Sequence, residues 1–413
     1  MTSANKLKIL NDPIYGFITI PASLLYDLIQ HPYFQRLRRI KQMGLSSLVY
    51  PGAEHTRFHH ALGCMHMMQK AVQVLRFKNV EISKEEEEAL YIAILLHDIG
   101  HGPFSHAMEH SIVENIHHEE ISLLFMEALN EEFEGKLSLA IEIFKGNYRR
   151  KFLIQLISSQ MDMDRMDYLK RDSFYSGVAE GNINSERLIQ MINVHNDYLV
   201  VEEKGIYSVE KFLVARRLMY WQCYLHKTSV GAELLLAKIL KRAKQLTLQG
   251  VDLPASNALK FFIENSVVKV DFNKTVLNNF ALLDDADIYT ALKNWQFHDD
   301  HVLSYLSSAI VNRKLFHVQL VSGDEMNSKL IYYKQLCKET LNVDDEVDFF
   351  VFGDKLSNQA YDLKADPIRI FTKNHEVVDV LEASDQYNLK ALSEPVYKYF
   401  ICYPKSIHKV DKI

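Results

Sequence analysis

The sequence LLHDIGHGPFSH, Leu95–His106, contains three histidines and one aspartate and decides how the surrounding chain folds. The preceding run EEEEALYIAILL opens with acids that favour a helix N-terminus, and Gly100 suits the C-terminal cap. The pattern therefore predicts a buried helix that ends at His97 and Asp98. On a continuing helix these two neighbours would point about 100° apart. A helix end removes that constraint, so both side chains can reach one object.

Composition excludes several classes of protein. The chain has 47 Lys+Arg against 53 Asp+Glu, a net charge of -6, so a polyanionic substrate needs a local cluster of cations. Four widely separated cysteines indicate neither a disulfide framework nor a thiolate zinc site, which favours a reducing compartment. The N-terminus lacks a signal sequence, and the longest apolar run, Ala89–Leu96, is too short to span a membrane. We expect a soluble, cytoplasmic protein with no membrane partner.

The periodicity of apolar residues predicts helices through most of the first 250 residues. Helical spacing runs through RFHHALGCMHMMQKAVQVL, HEEISLLFMEALNEEF and the long VEKFLVARRLMYWQCYLHKTSVGAELLLAKILKRAKQL. After residue 250, β-branched runs such as EVDFFVFGD, PIRIFTKNHEVVDVLEA and PVYKYFICYPK predict strands. The expected fold is mainly α, with a helical bundle over residues 1–250. A smaller α+β lobe over residues 251–413 is expected to be architectural or to mediate oligomerisation.

Three segments carry residues that could hold a metal ion. His60 lies in TRFHHALG, His97 and Asp98 lie in LLHDIG, and QMDMDRMDYLKRD is dense in aspartates. Imidazole nitrogens and carboxylate oxygens suit divalent ions such as Mn²⁺, Mg²⁺, Fe²⁺ and Zn²⁺. Taken alone, the His-Asp pair is better explained by local capping and packing. The prediction of a metal site depends on the three segments together.

These segments, in this order and at these separations, resemble the HD-domain phosphohydrolases. Within that family the chain is most similar to the deoxynucleoside triphosphate triphosphohydrolases, which include bacterial dGTPases and the vertebrate SAM- and HD-domain dNTPase. The likeness extends upstream through NDPIYGFI and FQRLRRIKQMG and downstream to YLHK, so it covers about residues 8 to 230. The resemblance implies that the helical bundle is an HD domain.

The resemblance also implies roles for the histidines and aspartates. The implied metal ligands are His60, His97, Asp98 and Asp164. The identity and number of the ions stay open. Neighbouring His59 would point away from the ion, and Asp162 and Asp167 are expected to be solvated, paired or to orient the ligands. The implied catalytic or phosphate-contacting histidines are His101, His106 and His118.

Substrate-binding residues follow from the same resemblance. The implied phosphate-binding cations are Arg57, Arg165, Arg216 and Lys227. Gln42 and Asp172 would hydrogen-bond the sugar, Tyr168 would exclude a 2′-hydroxyl, and Tyr224 of YLHK would complete the pocket. Arg165 replaces a frequent lysine, and Leu225 stands where the vertebrate enzyme has a glutamine near the base. Base preference therefore stays open.

A second nucleotide site is implied by the upstream segments, which in the resembling enzymes lie at subunit contacts and hold an activating nucleotide. The matching residues are Asn11, Gln35 and Arg38, whereas Gln30 replaces an aspartate that recognises guanine. These segments predict a homo-oligomer and regulation by a nucleotide. The alternative is that they only pack the N-terminus on the bundle.

The expected activity is metal-dependent hydrolysis of dGTP or several dNTPs to deoxynucleoside and inorganic triphosphate. A second interpretation keeps the HD fold but changes the substrate to a nucleoside monophosphate, a cyclic nucleotide or the stringent-response nucleotide ppGpp. The sugar-binding set argues against it, because a deoxyribose pocket would serve no purpose there. A third interpretation is a non-catalytic nucleotide sensor or a single-stranded nucleic-acid binder. It would require a missing ligand or catalytic histidine, and none is missing.

Overall fold

The structure, a computed structural model, describes residues 8–21, 23–104, 107–108, 111–114 and 116–408. Helices dominate the described chain up to residue 250, where they are α1 (Ser23–Gln30), α2 (Pro32–Gln35), α3 (Arg57–Phe77), α4 (Lys84–Leu96), α5 (His118–Glu132), α6 (Ser138–Phe144), α7 (Lys151–Ile157), α8 (Met163–Ser176), α9 (Ser185–Met191), α10 (Ile206–Met219) and α11 (Lys227–Leu248). The later helices are α12 (Asn257–Glu264), α13 (Lys274–Leu282), α14 (Asp285–Trp295), α15 (His301–Val311), α16 (Gly323–Leu341), α17 (Val347–Phe350), α18 (Val380–Ala383) and α19 (Lys405–His408).

The strands form four small sheets. In chain order they are β1 (Lys8–Asp12), β2 (Gly16–Ile20), β3 (Val113–Glu114), β4 (Ile192–His195), β5 (Tyr198–Glu202), β6 (Val267–Val268), β7 (His317–Val321), β8 (Phe352–Asn358), β9 (Arg369–Phe371), β10 (Val377–Asp379) and β11 (Val396–Tyr403). β1 and β2 make an N-terminal hairpin, β3 pairs with β6, and β7, β11 and β8 form a sheet in that order. The fourth sheet has the order β10-β9-β5-β4.

The core of the bundle is α4, which packs against α3 and α6, while α3 also packs against α8. The predicted helix start is confirmed: the Ser83 side chain accepts a hydrogen bond from the Glu86 amide, and Glu86 bonds back to the Ser83 amide. The helix is buried from Ala89 through Leu96. The last helical residue is Leu96 and His97 is its cap, so the helix ends where the sequence predicts.

The predicted fold class, a mainly α HD-type bundle with a smaller α+β region at the C-terminal end, is confirmed. β5 pairs in parallel with β9, so the chain on the two sides of residue 250 shares one sheet. The boundary after residue 250 stays a prediction. Among the described residues, no helix is long and apolar enough to cross a membrane.

Two local predictions differ from the structure. The long helical pattern is interrupted after Met219 by a π-helical turn, Tyr220–Tyr224, and a new helix starts at Lys227. The cause is a cap: His226 is extended, and its side chain accepts a hydrogen bond from the Thr228 amide. In EVDFFVFGD, the first part forms the short helix α17 and only the second part enters β8.

Candidate active site

Three helix ends bring the predicted metal ligands together. His60 lies in the first turn of α3, His97 and Asp98 follow α4, and Asp164 lies in the first turn of α8. His60 Nε2 is 3.1 Å from Asp164 Oδ1 and 3.7 Å from Asp98 Oδ2. His97 Nε2 is 3.4 Å from Asp98 Oδ1 and 3.5 Å from Asp164 Oδ1. His60, His97 and Asp164, with Cys64 Sγ beside them, therefore offer donor atoms close enough for one ion, and Asp98 adjoins them in a neighbouring group with His101 and His118.

The Nδ1 atoms of His60 and His97 each contact a hydrogen-bond acceptor, which orients the two rings. His97 Nδ1 lies 2.7 Å from the Ile94 carbonyl, which can only accept, so Nδ1 carries the proton. His60 Nδ1 lies 2.8 Å from Asp167 Oδ2 and is the donor by the same argument, since Asp167 is held ionised by its neighbours. Both Nε2 atoms consequently face the carboxylates of Asp98 and Asp164. Against the effect of burial, these carboxylates raise the pKa of His97, and Cys64, Asp164 and Asp167 raise the pKa of His60, so a bound ion would displace protons from these nitrogens. Such outer-nitrogen bonds are typical of metal-binding histidines.

A divalent ion fits this donor set. His97 Nε2 is buried and has no hydrogen-bond partner among the described residues, although burying an unpaired polar atom is costly. An ion bound by His60, His97, Asp98 and Asp164 would satisfy this nitrogen. Two imidazoles and two carboxylates suit Mn²⁺, Fe²⁺ or Zn²⁺ and, less closely, Mg²⁺.

The electrostatics of the cluster keep its carboxylates ionised. Burial opposes the charge of Asp98, but His97, His101 and Arg57 hold its pKa well below the usual range. Arg57 Nη1 donates to Asp98 Oδ2 at 2.6 Å. Burial also opposes the charge of Asp164, whose pKa is lowered by the neighbouring histidines. The cluster therefore presents negative oxygen atoms between two imidazoles.

Two of the three predicted catalytic histidines form a stacked pair beside the cluster. The rings of His101 and His118 lie 3.8 Å apart at an angle of 16°. His101 Nε2 is 3.3 Å from Asp98 Oδ1. Burial, together with the charge of Arg57, lowers the pKa of His101 to about 3, so this imidazole is neutral at pH 7. His106 lies outside the described residues.

A cleft next to the cluster brings together three of the predicted substrate residues. It encloses about 530 Å³ of space free of protein atoms, including its open mouth. The predicted residues that line it are Gln42, Arg57 and Tyr224. Gln42 Oε1 and Arg57 Nε are buried and have no hydrogen-bond partner in the described part of the chain. Both atoms are therefore available to a ligand.

The predicted sugar-binding residues form a connected group. The Tyr224 hydroxyl donates to Asp172 Oδ2 at 2.7 Å, and His55 Nε2 lies 2.7 Å from Asp172 Oδ1. The ring of Tyr168 meets the ring of Tyr224 edge to face, with centroids 5.9 Å apart. The Tyr168 hydroxyl is buried and lacks a partner within the described ranges. Tyr168 thus packs beside the Asp172–Tyr224 pair, of which Tyr224 also lines the cleft.

The remaining predicted cations differ in their surroundings. Arg216, in α10, buries Nε and Nη1 with no hydrogen-bond partner among residues that the structure describes. Arg165 Nε donates to the Ser159 carbonyl at 2.7 Å. Burial raises the pKa of Tyr168 against the opposing charges of Arg216 and Arg165, which therefore lie near its hydroxyl. Lys227, at the start of α11, is exposed.

Two of the three predicted regulatory residues contact each other directly. Arg38 Nε donates to Gln35 Oε1 at 2.8 Å, and the Arg38 guanidinium lies 3.6 Å from the centre of the Phe58 ring. Asn11 is exposed on β1, opposite Phe17. No hydrogen bond or ion pair of the described chain joins Asn11 to the other two. The structure therefore brings together Gln35 and Arg38 only.

Sequence reasoning missed one carboxylate of the cleft, Glu233 in α11. Glu233 is partly buried, makes no hydrogen bond or ion pair to another described residue, and burial raises its pKa to about 7. The available signal was a single acid in the apolar run VGAELLLAKIL. Periodicity could not show that this acid faces a cleft, because α11 packs against elements more than 50 residues away, including α15.

We predict that Glu233→Gln changes how stability depends on pH. The folded-state pKa of about 7 exceeds the ordinary value of 4.5, so ionising Glu233 destabilises the wild type as the pH rises through this range. The metal-free variant should be more stable than the wild type by about 3 kcal/mol at pH 8 and equal to it below about pH 4. Denaturant unfolding at both pH values tests this, with exposed Glu131→Gln as the control. The same pH dependence in Glu233→Gln and wild type would contradict it.

The HD domain family model matches residues 57–172, and a model of an HD associated region matches residues 183–261. YwfO of Bacillus subtilis, an uncharacterized protein, is 32% identical over 392 residues, which are 91% of this chain and 88% of YwfO. The deoxynucleoside triphosphate triphosphohydrolase SAMHD1 homolog of Dictyostelium discoideum is 31% identical over 263 residues, 59% of this chain and 51% of that protein.

A solved structure extends the likeness to almost the whole chain. The crystal structure of a phosphohydrolase from Bacteroides thetaiotaomicron has a TM-score of 0.92 and 51% sequence identity, and the match covers 96% of this chain and all of that one (100%). The HD motif lies at the end of α4, inside the region matched by the HD model and beside the converging histidines and aspartates. The chain therefore belongs to the HD-domain phosphohydrolases.

Proposed function

We propose that the protein hydrolyses deoxynucleoside triphosphates to deoxynucleoside and inorganic triphosphate, with a divalent ion bound by His60, His97, Asp98 and Asp164. The observation that carries this proposal is the continuity between the metal cluster and the cleft. Arg57 lines the cleft and donates to Asp98 of the cluster at 2.6 Å. A phosphate group bound by Arg57 would consequently lie beside the ion.

The cations of the site suit a polyphosphate. A triphosphate carries about four negative charges near neutral pH, and a protein of net charge -6 must supply local cations to bind it. Arg57 and Arg216 have buried nitrogens without partners within the described chain, and such nitrogens are costly unless a ligand pairs with them. Arg165 and Lys227 would add further positive charge to the site. Together these cations support a substrate with several phosphates.

The histidines support cleavage of the bond to the 5′-oxygen. When bound, the ion supplies Lewis acidity at a phosphoryl oxygen and makes a bound water more acidic. Water attacks the α-phosphorus, the bond from phosphorus to the 5′-oxygen breaks, and the 5′-oxygen takes up a proton. We assign delivery of that proton to His118. His101, neutral and 3.3 Å from Asp98, positions the carboxylate and stacks on His118.

Selection of a deoxyribose is supported by Tyr168, Asp172 and Tyr224. The Asp172 carboxylate accepts from Tyr224, which lines the cleft, and Tyr168 packs against Tyr224. Asp172 would hold a 3′-hydroxyl, and the Tyr168 ring would limit space for a 2′-hydroxyl. Curated relatives that carry the name deoxynucleoside triphosphate triphosphohydrolase SAMHD1, from Gallus gallus and Danio rerio, support the same substrate class.

Product analysis tests the proposal. The protein is incubated with each dNTP and Mn²⁺ in water enriched in oxygen-18, and the products are separated. We expect deoxynucleoside and free triphosphate, with the label in the triphosphate because water attacks phosphorus. Orthophosphate or pyrophosphate as the product, or hydrolysis of only a monophosphate, a cyclic nucleotide or ppGpp, would favour another HD phosphohydrolase. Nucleotide binding without turnover would favour a non-catalytic sensor.

We also propose that the protein is a homo-oligomer regulated by a second nucleotide at Asn11, Gln35 and Arg38, and that residues 251–413 are architectural or mediate oligomerisation. The contact of Arg38 with Phe58 supports regulation, because Phe58 follows Arg57 in α3. The later chain supports the segment that holds Arg38: Arg39 pairs with Asp284, and the Lys41 amide donates to Asp285. Single-stranded nucleic acid is a less favoured ligand of the protein than a nucleotide.

Regulation makes a testable prediction. Hydrolysis of one dNTP should be stimulated by a second, and Arg38→Ala should abolish the stimulation while the metal content is unchanged, as expected for two coupled sites. Rates for single dNTPs and for all pairs, with sedimentation in the presence and absence of nucleotide, measure both properties. Additive rates from a protein that never associates would refute the second site. Arg149→Ala, which removes an exposed arginine just before α7, is the control.

A further inference from the structure

A buried chain of charged side chains joins the N-terminal hairpin to His60. Asp12, at the end of β1, accepts at Oδ2 from Arg171 Nη1 at 2.8 Å. Arg171 donates from Nε and Nη2 to the two oxygens of Asp167, at 2.9 and 3.0 Å. Asp167 Oδ2 also accepts from His60 Nδ1 at 2.8 Å. The exposed fractions are 6% for Asp12 and 0% for the other three.

The hairpin end of this chain is itself well ordered by hydrogen bonds. Asp12 Oδ1 accepts from the amides of Ile14 and Tyr15 at 2.8 and 3.1 Å, which shapes the turn between β1 and β2. Its second oxygen is committed to Arg171. A change in the turn must therefore move the carboxylate on which Arg171 depends.

Gly63, in α3, leaves room for the Arg171–Asp167 pair. A Cβ atom at Gly63 would lie 2.0 Å from Asp167 Oδ1 and 2.3 Å from Arg171 Nη2. Glycine inside a helix costs about 1 kcal/mol relative to alanine. The glycine of HHALG is therefore explained by the close approach of the arginine–carboxylate pair to the helix that carries His60.

We propose that Asp12 and Arg171 are positioning residues of the metal site, so that the affinity for the ion depends on the N-terminal hairpin. The inference rests on the proposed role of His60 as a metal ligand. Arg171 fixes both oxygens of Asp167, and Asp167 in turn fixes the proton of His60 on Nδ1 and directs Nε2 to the ion. The hairpin thereby acts on a ligand that it does not touch.

The test measures Mn²⁺ affinity, by the electron paramagnetic resonance signal of free Mn²⁺, in the full chain. Arg171→Lys keeps the charge but cannot bridge three carboxylate oxygens, and should weaken binding about tenfold or more. Asp12→Asn keeps an acceptor for the turn amides but loses the ion pair, and should weaken binding severalfold. Arg242→Lys breaks a similar two-bond pair with Asp300 and should leave the affinity unchanged.

A second measurement distinguishes a positioning role of Asp12 and Arg171 at the metal site from a role only in holding the hairpin on the bundle. By reciprocity, Mn²⁺ should slow hydrogen exchange of the Ile14 and Tyr15 amides in the wild type and have little effect in Arg171→Lys. Variants that fold with lower stability but keep wild-type Mn²⁺ affinity would overturn the inference. If Arg171→Lys does not fold, the Mn²⁺ affinity of Asp12→Asn tests the inference instead. If the wild type does not bind Mn²⁺, or if His60→Ala does not weaken that binding, the metal site is refuted, and the inference with it.

Discussion

Neither His97→Ala nor Asp98→Ala is expected to retain a bound divalent ion or to hydrolyse nucleotide above background. Each change removes one donor from a set of four whose atoms converge within hydrogen-bonding or ion-pair distance. Metal affinity depends on the full set of ligands, and loss of Lewis acidity costs several kcal/mol of barrier lowering. We therefore expect the rate to fall on the order of 10³-fold or more.

Elemental analysis of the purified proteins and product release with added Mn²⁺ measure the two effects. His59→Ala is the matched control, because His59 adjoins His60 on α3 but its Nδ1 contacts Thr56 at the helix start instead of the cluster. It should lose some stability and keep the ion. Full metal content in both His97→Ala and Asp98→Ala would mean that the HD pair is structural in this protein.

The second large effect concerns the sugar. We expect each dNTP to be hydrolysed about 10²-fold or more faster, in kcat/KM, than the NTP with the same base, because an added 2′-hydroxyl would meet the Tyr168 ring. Tyr168→Ala should reduce this preference severalfold or more while the content of bound metal stays at the wild-type level. The Tyr168 ring packs against Tyr224 and supplies none of the proposed metal ligands, so its loss should alter the sugar pocket more than the bound metal.

Competition assays with dGTP and GTP, and then with the other three pairs, measure the preference. Phe174→Ala is a suitable control, since Phe174 is an aromatic residue of the same helix α8 but is 60% exposed. Equal turnover of dGTP and GTP by the wild type would refute a closed deoxyribose pocket. A preference that survives in Tyr168→Ala would move the selection to Asp172 and Gln42.

Local sequence signals predicted the elements that are defined by near neighbours. α4 starts and ends where the acids and the HD motif indicate, because caps and apolar periodicity act within a few residues. The same reasoning failed between Met219 and Lys227, where apolar spacing continues but the helix does not. There the π-helical turn brings Tyr224 to Asp172, a contact across 52 residues that no local pattern contains.

The candidate site likewise has features that the sequence predicts and features that only the tertiary structure determines. Residue types, motif order and the likeness to HD-domain dNTPases were readable in the chain, and they specified which histidines and aspartates to examine. Distance, burial and proton position were not readable, because they arise where α3, α4 and α8 meet. The Nδ1 partners of His60 and His97, the acid Glu233 in the cleft and the connection from Asp12 to His60 all depend on that meeting. Local sequence sets chemistry and helix limits, whereas long-range packing sets which groups face each other and in what protonation state.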